Sequence, residues 1–314
     1  MKTMKRKKPA IRSKILTFLL FAASLACTGL CLAHLIPYAE EEMRAASLHA
    51  ELVALHEGGA GIDGNWATRE PDASVVEPDC YAALEGEGRP AAVENAGNAG
   101  VGDNLETPEA AEIEDAAGVQ QASEVHSGLA ALHQKNRDCI AWITIEDTAI
   151  DYPVMYRPQS KDYYIYRDFY GERSSSGSLY ISEICDPDTC DNLIIYGHHM
   201  SSGTMFAALD KYKKQSFYEA HPTIRLERLS GVETYEIVFA FTTPVYTGND
   251  FKYYAFARAA NEAEFNAYIA NCQARALYDT GKTASYGDKL LTLSTCEYSQ
   301  KNGRMVVVAR RMDA

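Results

Sequence analysis

Short apolar runs recur along the second half of the chain, and clusters of Gly, Pro, Asp and Ser separate them. The runs are rich in β-branched and aromatic residues, which favour strands. Eight segments have this character: Trp142–Ile145, Ile150–Met155, Ser178–Ile181, Leu193–Tyr196, Thr223–Leu226, Thr234–Phe241, Leu290–Thr295 and Met305–Ala309. Such a series is typical of a mainly antiparallel β-barrel or β-sandwich. The periodicity itself does not choose between these two folds.

Helical patterns interrupt the strand series. We expect one helix over Met205–Tyr212 and a longer one over Ala260–Leu277, with apolar positions at the spacing of a buried helix face. Those positions are Phe265, Tyr268, Ile269 and Cys272. A further helix from Val125 to about Lys135 would precede the first strand.

The N-terminus combines a basic tail with a long apolar stretch. Residues 1–14 are rich in Lys and Arg, and Ile15–Ile36 is almost uninterruptedly apolar. At about 1.5 Å per residue, this stretch spans about 33 Å, enough for the hydrocarbon core of a bilayer. The sequence predicts an uncleaved anchor with the N-terminus in the cytoplasm and the rest of the chain outside. A cleaved signal peptide is the alternative, but the stretch is long for one and lacks a clean cleavage signal.

Residues 37–124 differ in composition from the rest of the chain. Tyr38–His56 has a helix-favouring mixture, and the following segment is rich in Ala, Gly, Glu and Asp. Positions 57–125 hold 16 acidic and 2 basic residues, which accounts for the net charge of −13 of the whole chain. With so few large apolar groups, the segment is expected to be a disordered stalk or spacer. Residues 125–314 then form one domain with a full-sized core.

Three residues at the ends of predicted strands combine the parts of an acyl-transfer site. Cys296 ends one apolar run, Arg304 opens the next, and His198 follows the run Leu193–Tyr196. A thiol supplies a nucleophile, an imidazole handles the proton, and a guanidinium can bind an oxyanion. Each residue taken alone has an ordinary structural interpretation: a small core residue, a turn residue and a solvated strand end.

The strings around these residues resemble the sortases. They are TLSTC, IYGHHM and NGRMVVVAR, and the longer stretches around AWITIEDTAIDYPVMYR and NLIIYGHHMSSGTMF are similar to class B sortases in particular. The resemblance extends over residues 125–310. It implies a closed eight-stranded β-barrel with an N-terminal helix and a long helix between the penultimate strands. It also implies that Cys296 is the nucleophile, His198 the acid/base and Arg304 the oxyanion residue.

Neighbouring residues are candidates for substrate contacts. Tyr196 and Ser294 stand two residues before His198 and Cys296, so each shares a face with its catalytic neighbour on an extended chain. The backbone amides of Thr295 and Glu297 flank the thiol and are candidates for the oxyanion site. His199 would face away from the thiol, and we therefore expect His198 to be the base.

The resemblance implies a cysteine transpeptidase that attaches surface proteins to the cell wall. Cleavage would follow a threonine in a C-terminal sorting signal, of a type such as Asn-Pro-x-Thr. The acyl group would pass from a Cys thioester to a peptidoglycan amine. A pilus-polymerising variant would use a lysine of another protein instead.

A secreted papain-type protease is disfavoured by the order of His198 before Cys296. A stalked binding module without catalysis is the remaining alternative, and it predicts an inert Cys296.

The other cysteines and acidic residues give weaker signals. Cys185 and Cys190 bracket four residues and either close a small disulfide loop or remain two independent thiols. Cys139 and Cys272 lie in apolar patterns. The cysteine and histidine spacings fit no zinc site, and the carboxylates between Glu183 and Asp191 lack the calcium-loop pattern. We expect no cofactor, no metal and no nucleic-acid partner.

Overall fold

The computed structural model describes residues 10–58, 128–248 and 251–312. The chain divides into two compact units, Met1–Ala50 and Glu51–Ala314. Helix α1 runs over Ala10–His56, with Pro37 inside it, and thus includes the helix expected over Tyr38–His56. Among the described residues, no helix is long and apolar enough to cross a membrane. The anchor predicted for Ile15–Ile36 falls largely on positions whose side chains lie outside the described residues.

Eight strands of the second unit form a closed barrel in the order β1-β2-β3-β4-β7-β8-β6-β5. Neighbouring strands are antiparallel, except that β2 pairs with β3 and β4 with β7 in parallel. The strands are β1 Cys139–Thr144, β2 Asp151–Met155, β3 Leu179–Ile181, β4 Asn192–Tyr196, β5 Thr223–Arg228, β6 Gly231–Pro244, β7 Leu290–Glu297 and β8 Gly303–Arg311. The closed barrel is confirmed, and each of the eight predicted segments overlaps one of these strands.

Short helices connect the strands. Residues 128–135 form α2, which matches the expected helix before β1. The others are 3₁₀ helices at Tyr163–Tyr166, Phe206–Lys213 and Tyr253–Ala255, and α-helices α3 Gln215–Ala220 and α4 Glu262–Gln273. The segment predicted as a helix over Met205–Tyr212 is therefore 3₁₀. Helix α4 is shorter than predicted. It begins after Asn261, whose side chain accepts a hydrogen bond from Glu264 N and caps its start, and it ends at Gln273 rather than at Leu277.

Strand β7 is buried on both faces. Leu291 and Leu293 point into the barrel core, whereas Leu290 belongs to a second apolar cluster outside the barrel wall. Phe265 and the other apolar residues of α4 pack in that outer cluster. Because side chains alternate along a strand, the outer face of β7 carries Leu290, Thr292, Ser294 and Cys296. The outer cluster therefore lies on the face that bears the candidate nucleophile.

The C-terminal end of α1 belongs to the barrel unit. Leu52 and Leu55 are buried, and the His56 ring stacks on Trp142 with 4.1 Å between centroids. His56 Nε2 also lies 3.2 Å from Oε2 of the buried Glu227. The compact unit thus includes Glu51–His56, ahead of the predicted start at residue 125. Most of the predicted stalk, residues 59–124, lies outside the described residues.

Candidate active site

The β7–β8 pairing places Cys296 directly opposite Arg304. Directly opposed residues of antiparallel strands share one face of the sheet, with Cβ atoms about 5 Å apart. Both side chains are 2 % exposed. Arg304 Nη1 donates a hydrogen bond to the Gly303 carbonyl at 2.9 Å, which fixes one side of the guanidinium. Strand pairing therefore brings a fixed positive charge beside the sulfur.

The parallel pair β4–β7 brings His198 to the same end of the sheet. Tyr196 pairs with Ser294, and Gly197 N donates to Ser294 O at 3.2 Å. The Thr295 hydroxyl donates to Gly197 O at 2.8 Å and holds the chain where it leaves β4. His198 and Cys296 each follow this pair by two residues. The structure thus gathers His198, Cys296 and Arg304 from three adjacent strands.

A backbone carbonyl orients the His198 ring. His198 Nε2 lies 2.7 Å from Ile165 O, and the Tyr166 ring packs 5.5 Å from the imidazole. Because a carbonyl oxygen only accepts, we assign the hydrogen to Nε2 and the basic site of the neutral ring to Nδ1. Any residue type supplies a backbone carbonyl, so no signal in the sequence pointed to Ile165.

His199 makes different contacts from His198. Its Nδ1 lies 3.1 Å from the carbonyl oxygen of Cys296, and its ring meets Tyr298 edge-on at 5.3 Å. As with His198, the carbonyl must be the acceptor, so Nδ1 donates. His199 thereby holds the backbone of Cys296, and its ring is oriented by a different carbonyl from that of His198.

An aromatic cavity adjoins Arg304. Its lining consists of Asp162, Tyr196, Val245, Tyr246, Tyr253, Tyr254 and Arg304. Tyr196, a candidate for substrate contact, lines this cavity together with Arg304. Burial raises the pKa of Asp162, against the effect of a 2.9 Å hydrogen bond from Tyr180. Asp162 and the tyrosines after β6 were not among the residues predicted from the sequence.

Ser294 and Thr295 are fully buried. Ser294 lies on the face of Cys296, as expected, but its hydroxyl is 2.7 Å from the Tyr253 hydroxyl. Thr295 points to the other face and bonds Gly197 O. Both side chains thus contact protein groups. Their places in the structure favour a supporting role for the residues around the thiol rather than direct side-chain contact with a substrate.

Glu297 joins the end of β7 to the 3₁₀ helix Phe206–Lys213. Lys213 Nζ lies 2.6 Å from Glu297 Oε1, and Ser299 N and Oγ donate to the carboxylate at 2.9 and 2.7 Å. Burial raises the pKa of Glu297, but the hydrogen bonds of Lys213 and Ser299 outweigh burial and lower it below its ordinary value. The side chain is 3 % exposed, and both of its carboxylate oxygens accept hydrogen bonds. Lys213 was not identified from the sequence.

Four buried cysteines, Cys139, Cys185, Cys190 and Cys272, are free. Nucleophilic attack needs a thiolate, so the chemistry of Cys296 belongs to the reduced protein. In the part of the chain that the structure describes, no group of His, Cys, Asp and Glu side chains is arranged to hold a metal ion.

A family model, two relatives and a solved structure that resemble this chain are all sortases. The Sortase domain family model matches residues 143–312. Sortase B of Listeria monocytogenes is 36 % identical over 212 residues, which cover 65 % of this chain and 81 % of the relative. Sortase B of Staphylococcus aureus is 30 % identical over 186 residues, covering 57 % and 72 %. The structure of a Staphylococcus aureus sortase B–substrate complex aligns with a TM-score of 0.55 at 28 % identity, covering 60 % of this chain and 85 % of that one. As the sequence resemblance predicted, the chain belongs to the sortase family, in class B, and is a cysteine transpeptidase.

Proposed function

We propose that this chain is a membrane-anchored sortase that cleaves a C-terminal sorting signal after threonine and transfers the protein to a peptidoglycan amine. The observation that carries the proposal is the cross-strand pair Cys296 and Arg304, with His198 at the end of the adjoining strand. A nucleophile, a fixed cation and an oriented imidazole at one sheet edge suit acyl transfer through a thioester.

In the first half-reaction, the reduced Cys296 thiolate attacks the threonine carbonyl. The tetrahedral intermediate carries negative charge on its oxygen, and the Arg304 guanidinium stabilises that charge with several fixed donors. The threonine amide bond then breaks, and the leaving amine takes a proton from Nδ1 of the His198 ring, which is protonated while Cys296 is a thiolate. In the second half-reaction, the incoming amine attacks the thioester and the Cys296 thiolate leaves. His198 accepts the proton that the amine gives up. The Ile165 carbonyl keeps the ring in one orientation through both steps.

The aromatic cavity beside Arg304 is our proposed binding site for the sorting signal. Four tyrosines line it, with Val245 and Asp162. Tyrosine rings offer apolar surface together with a polar hydroxyl, which suits an extended peptide with small and polar side chains. Tyr196 is the last residue of β4, the strand that leads to His198, and it connects this cavity to that strand.

The sequence supports membrane anchoring through Ile15–Ile36. The basic tail before this stretch favours a cytoplasmic N-terminus, which would leave the catalytic domain outside the cell. A transpeptidase that modifies secreted proteins needs this location, because its protein substrate and its peptidoglycan acceptor meet there.

A trapped acyl-enzyme would test the proposal directly. The reduced full-length chain is incubated with a small library of Thr-containing sorting peptides and measured by intact-protein mass spectrometry. We expect a mass increase equal to the peptide up to its threonine, and no adduct on Cys296→Ala. Addition of triglycine should release a ligated peptide. Preference for a lysine-bearing protein segment would instead indicate the pilus-polymerising variant. Attachment at any residue other than Cys296 would contradict the proposal.

A further inference from the structure

We propose that Cys185 and Cys190 form a second cysteine site, separate from the active site, whose two thiols exchange with an external disulfide and close an internal disulfide. Both thiols are free and both residues are buried in the same apolar cluster. Nothing in the transpeptidation chemistry uses them. The ligand class is a low-molecular-weight disulfide that accepts the two electrons of the dithiol.

A tight loop brings the two cysteines together. Thr189 N and Cys190 N both donate to Asp186 O, at 3.1 and 2.9 Å, and these bonds turn the chain back on itself. Cys185 and Cys190 pack in the same apolar cluster, and each thiol shifts the pKa of the other. Cys185 Sγ donates its hydrogen to Asn192 O at 3.4 Å. The turn therefore keeps the two free thiols close together in the reduced form.

The two thiols differ in access and in charge environment. Cys190 is 8 % exposed and Cys185 is 1 % exposed, beneath a loop whose Asp186, Asp188 and Thr189 are exposed. The neighbouring Cys185 thiol lowers the pKa of Cys190, and Lys289 acts in the same direction, against burial. The same interaction, together with burial, raises the pKa of Cys185. Cys190 is accordingly the attacking thiol and Cys185 the resolving one.

The exchange balances without any further reactant. The Cys190 thiolate attacks one sulfur of the external disulfide, forms a mixed disulfide and releases one thiolate. Cys185 then attacks the Cys190 sulfur, and the second external thiol leaves. The protein loses two hydrogens as protons and two electrons, and the external disulfide becomes two thiols. The reaction reverses in excess thiol.

The internal disulfide would fasten the end of the β4–β7 pair opposite to the active site. Lys289 Nζ donates to Cys190 O and to Asp191 Oδ1, each at 3.0 Å, immediately before β7. Arg258 donates to Thr189 O at 2.8 Å. The loop thus joins segments before β4 and β7 and before α4. Because β4 is five residues long, this end lies about 16 Å from the end that bears His198.

The test is disulfide mapping of the full-length chain after incubation with glutathione disulfide. Trypsin cleavage after Arg173 and Lys211 gives a peptide of residues 174–211, whose cysteines are Cys185 and Cys190 alone. We expect this peptide to lose two hydrogens on oxidation and to regain them in excess glutathione. A peptide that stays fully reduced, or one that links to another peptide, overturns the proposal.

Single variants test which of the two thiols attacks the external disulfide first. Cys185→Ser should accumulate a stable glutathione adduct on Cys190, whereas Cys190→Ser should leave Cys185 largely unmodified. Equal adduct formation in both variants would overturn the assignment of Cys190 as the attacking thiol. Cys272 provides the matched control, because burial raises its pKa to about 12 and it should stay unmodified throughout. Oxidation of the pair should leave kcat/KM of the reduced Cys296 within about twofold, because the two sites are distant.

Discussion

The two ends of the β4–β7 pair both carry cysteine, but different groups surround the sulfur. At one end Cys296 faces Arg304 across the sheet, with His198 at the end of the neighbouring strand. At the other end Cys190 meets the thiol of Cys185 and lies near Lys289. The first arrangement provides a cation for an oxyanion and a group for proton transfer. The second provides a resolving thiol and suits disulfide exchange.

This difference shows that burial of a cysteine does not decide its chemistry. Cys296 is 2 % exposed, as deeply buried as Cys185. Burial alone raises the pKa of a thiol and makes it inert, as it does for Cys139, whose pKa rises to about 12. The charged and hydrogen-bonding groups around the sulfur, which oppose the effect of burial on the thiol pKa, decide how the cysteine reacts. The following variants remove a functional group at one end of the strand pair and leave the groups at the other end intact.

Cys296→Ala should have the largest effect. Removal of the nucleophile abolishes the thioester route, so we expect both cleavage and transfer to fall by at least about 10⁴-fold. Cys190→Ala is the matched control at the opposite end and should retain kcat within about twofold. Steady-state kinetics on a fluorogenic sorting peptide, under reducing conditions, measures both. A large loss in Cys190→Ala with normal folding would show that the two ends are coupled.

His198→Ala should lower kcat nearly as much as Cys296→Ala, because the leaving amine would lose its proton donor. His199→Ala should keep a substantial fraction of the activity, since His199 contacts the Cys296 carbonyl rather than serving as the acid/base. Parallel kinetics of the two variants, with circular dichroism as a folding check, separates the roles. An inactive His199 variant beside an active His198 variant would reverse the assignment.

Arg304→Ala should lower kcat and kcat/KM together by about 10²–10³, the usual loss for one oxyanion donor. Arg304→Lys keeps the charge without the planar multi-donor geometry and should recover part of the loss. The measurement is kcat and KM on the same peptide. An increase in KM at unchanged kcat would make Arg304 a ground-state substrate contact, and a kcat within about threefold of wild type would exclude the oxyanion role.

Gly177→Ala tests the carbonyl that orients His198. Gly177 has φ +56°, and a Cβ there would overlap the Ile165 carbonyl oxygen and lie 2.7 Å from Tyr164 O. Displacement of the Ile165 carbonyl should misplace the imidazole and lower kcat about tenfold or more. Gly203→Ala is the control, because Gly203 also has a positive φ but has no neighbouring atom within 4 Å among the described residues. An equal loss of kcat in the two variants would show that backbone strain, and not displacement of the Ile165 carbonyl, causes the effect.

Glu297→Gln should have the smallest effect, on stability. The folded-state pKa of Glu297 is depressed, so its contribution is present above the pKa of an unfolded glutamate, about 4.3, and is lost as pH falls through the folded value. Because Lys213 is partly exposed, we expect a loss of about 1–2 kcal/mol in the free energy of unfolding at pH 7. Urea unfolding at several pH values should show this difference shrinking as the pH falls below the pKa of an unfolded glutamate and through the folded value. A difference that persists at low pH would contradict the ionic role of Glu297.

The strand pattern was readable from the sequence because alternation and turn residues are local properties. Each of the eight apolar runs overlaps a strand of the barrel. The helix predictions were less accurate, because apolar periodicity marks neither the Asn261 cap at the start of α4 nor the end of the helix at Gln273. The choice of a barrel over a sandwich came from the family resemblance and not from periodicity, since closure depends on the pairing of β1 with β5.

The sequence by itself determined which residues are the candidates for catalysis, because Cys296, His198 and Arg304 lie in family-specific strings at strand ends. It did not determine how they are held. The Ile165 carbonyl on His198, the Lys213 ammonium on Glu297 and the Tyr253 hydroxyl on Ser294 come from segments 33, 84 and 41 residues away. Contacts of this kind depend on strand register and on the packing of connecting segments, so only the tertiary structure decided them. The same holds for the contact between Cys185 and Cys190, which the spacing allowed and the Asp186 turn produces.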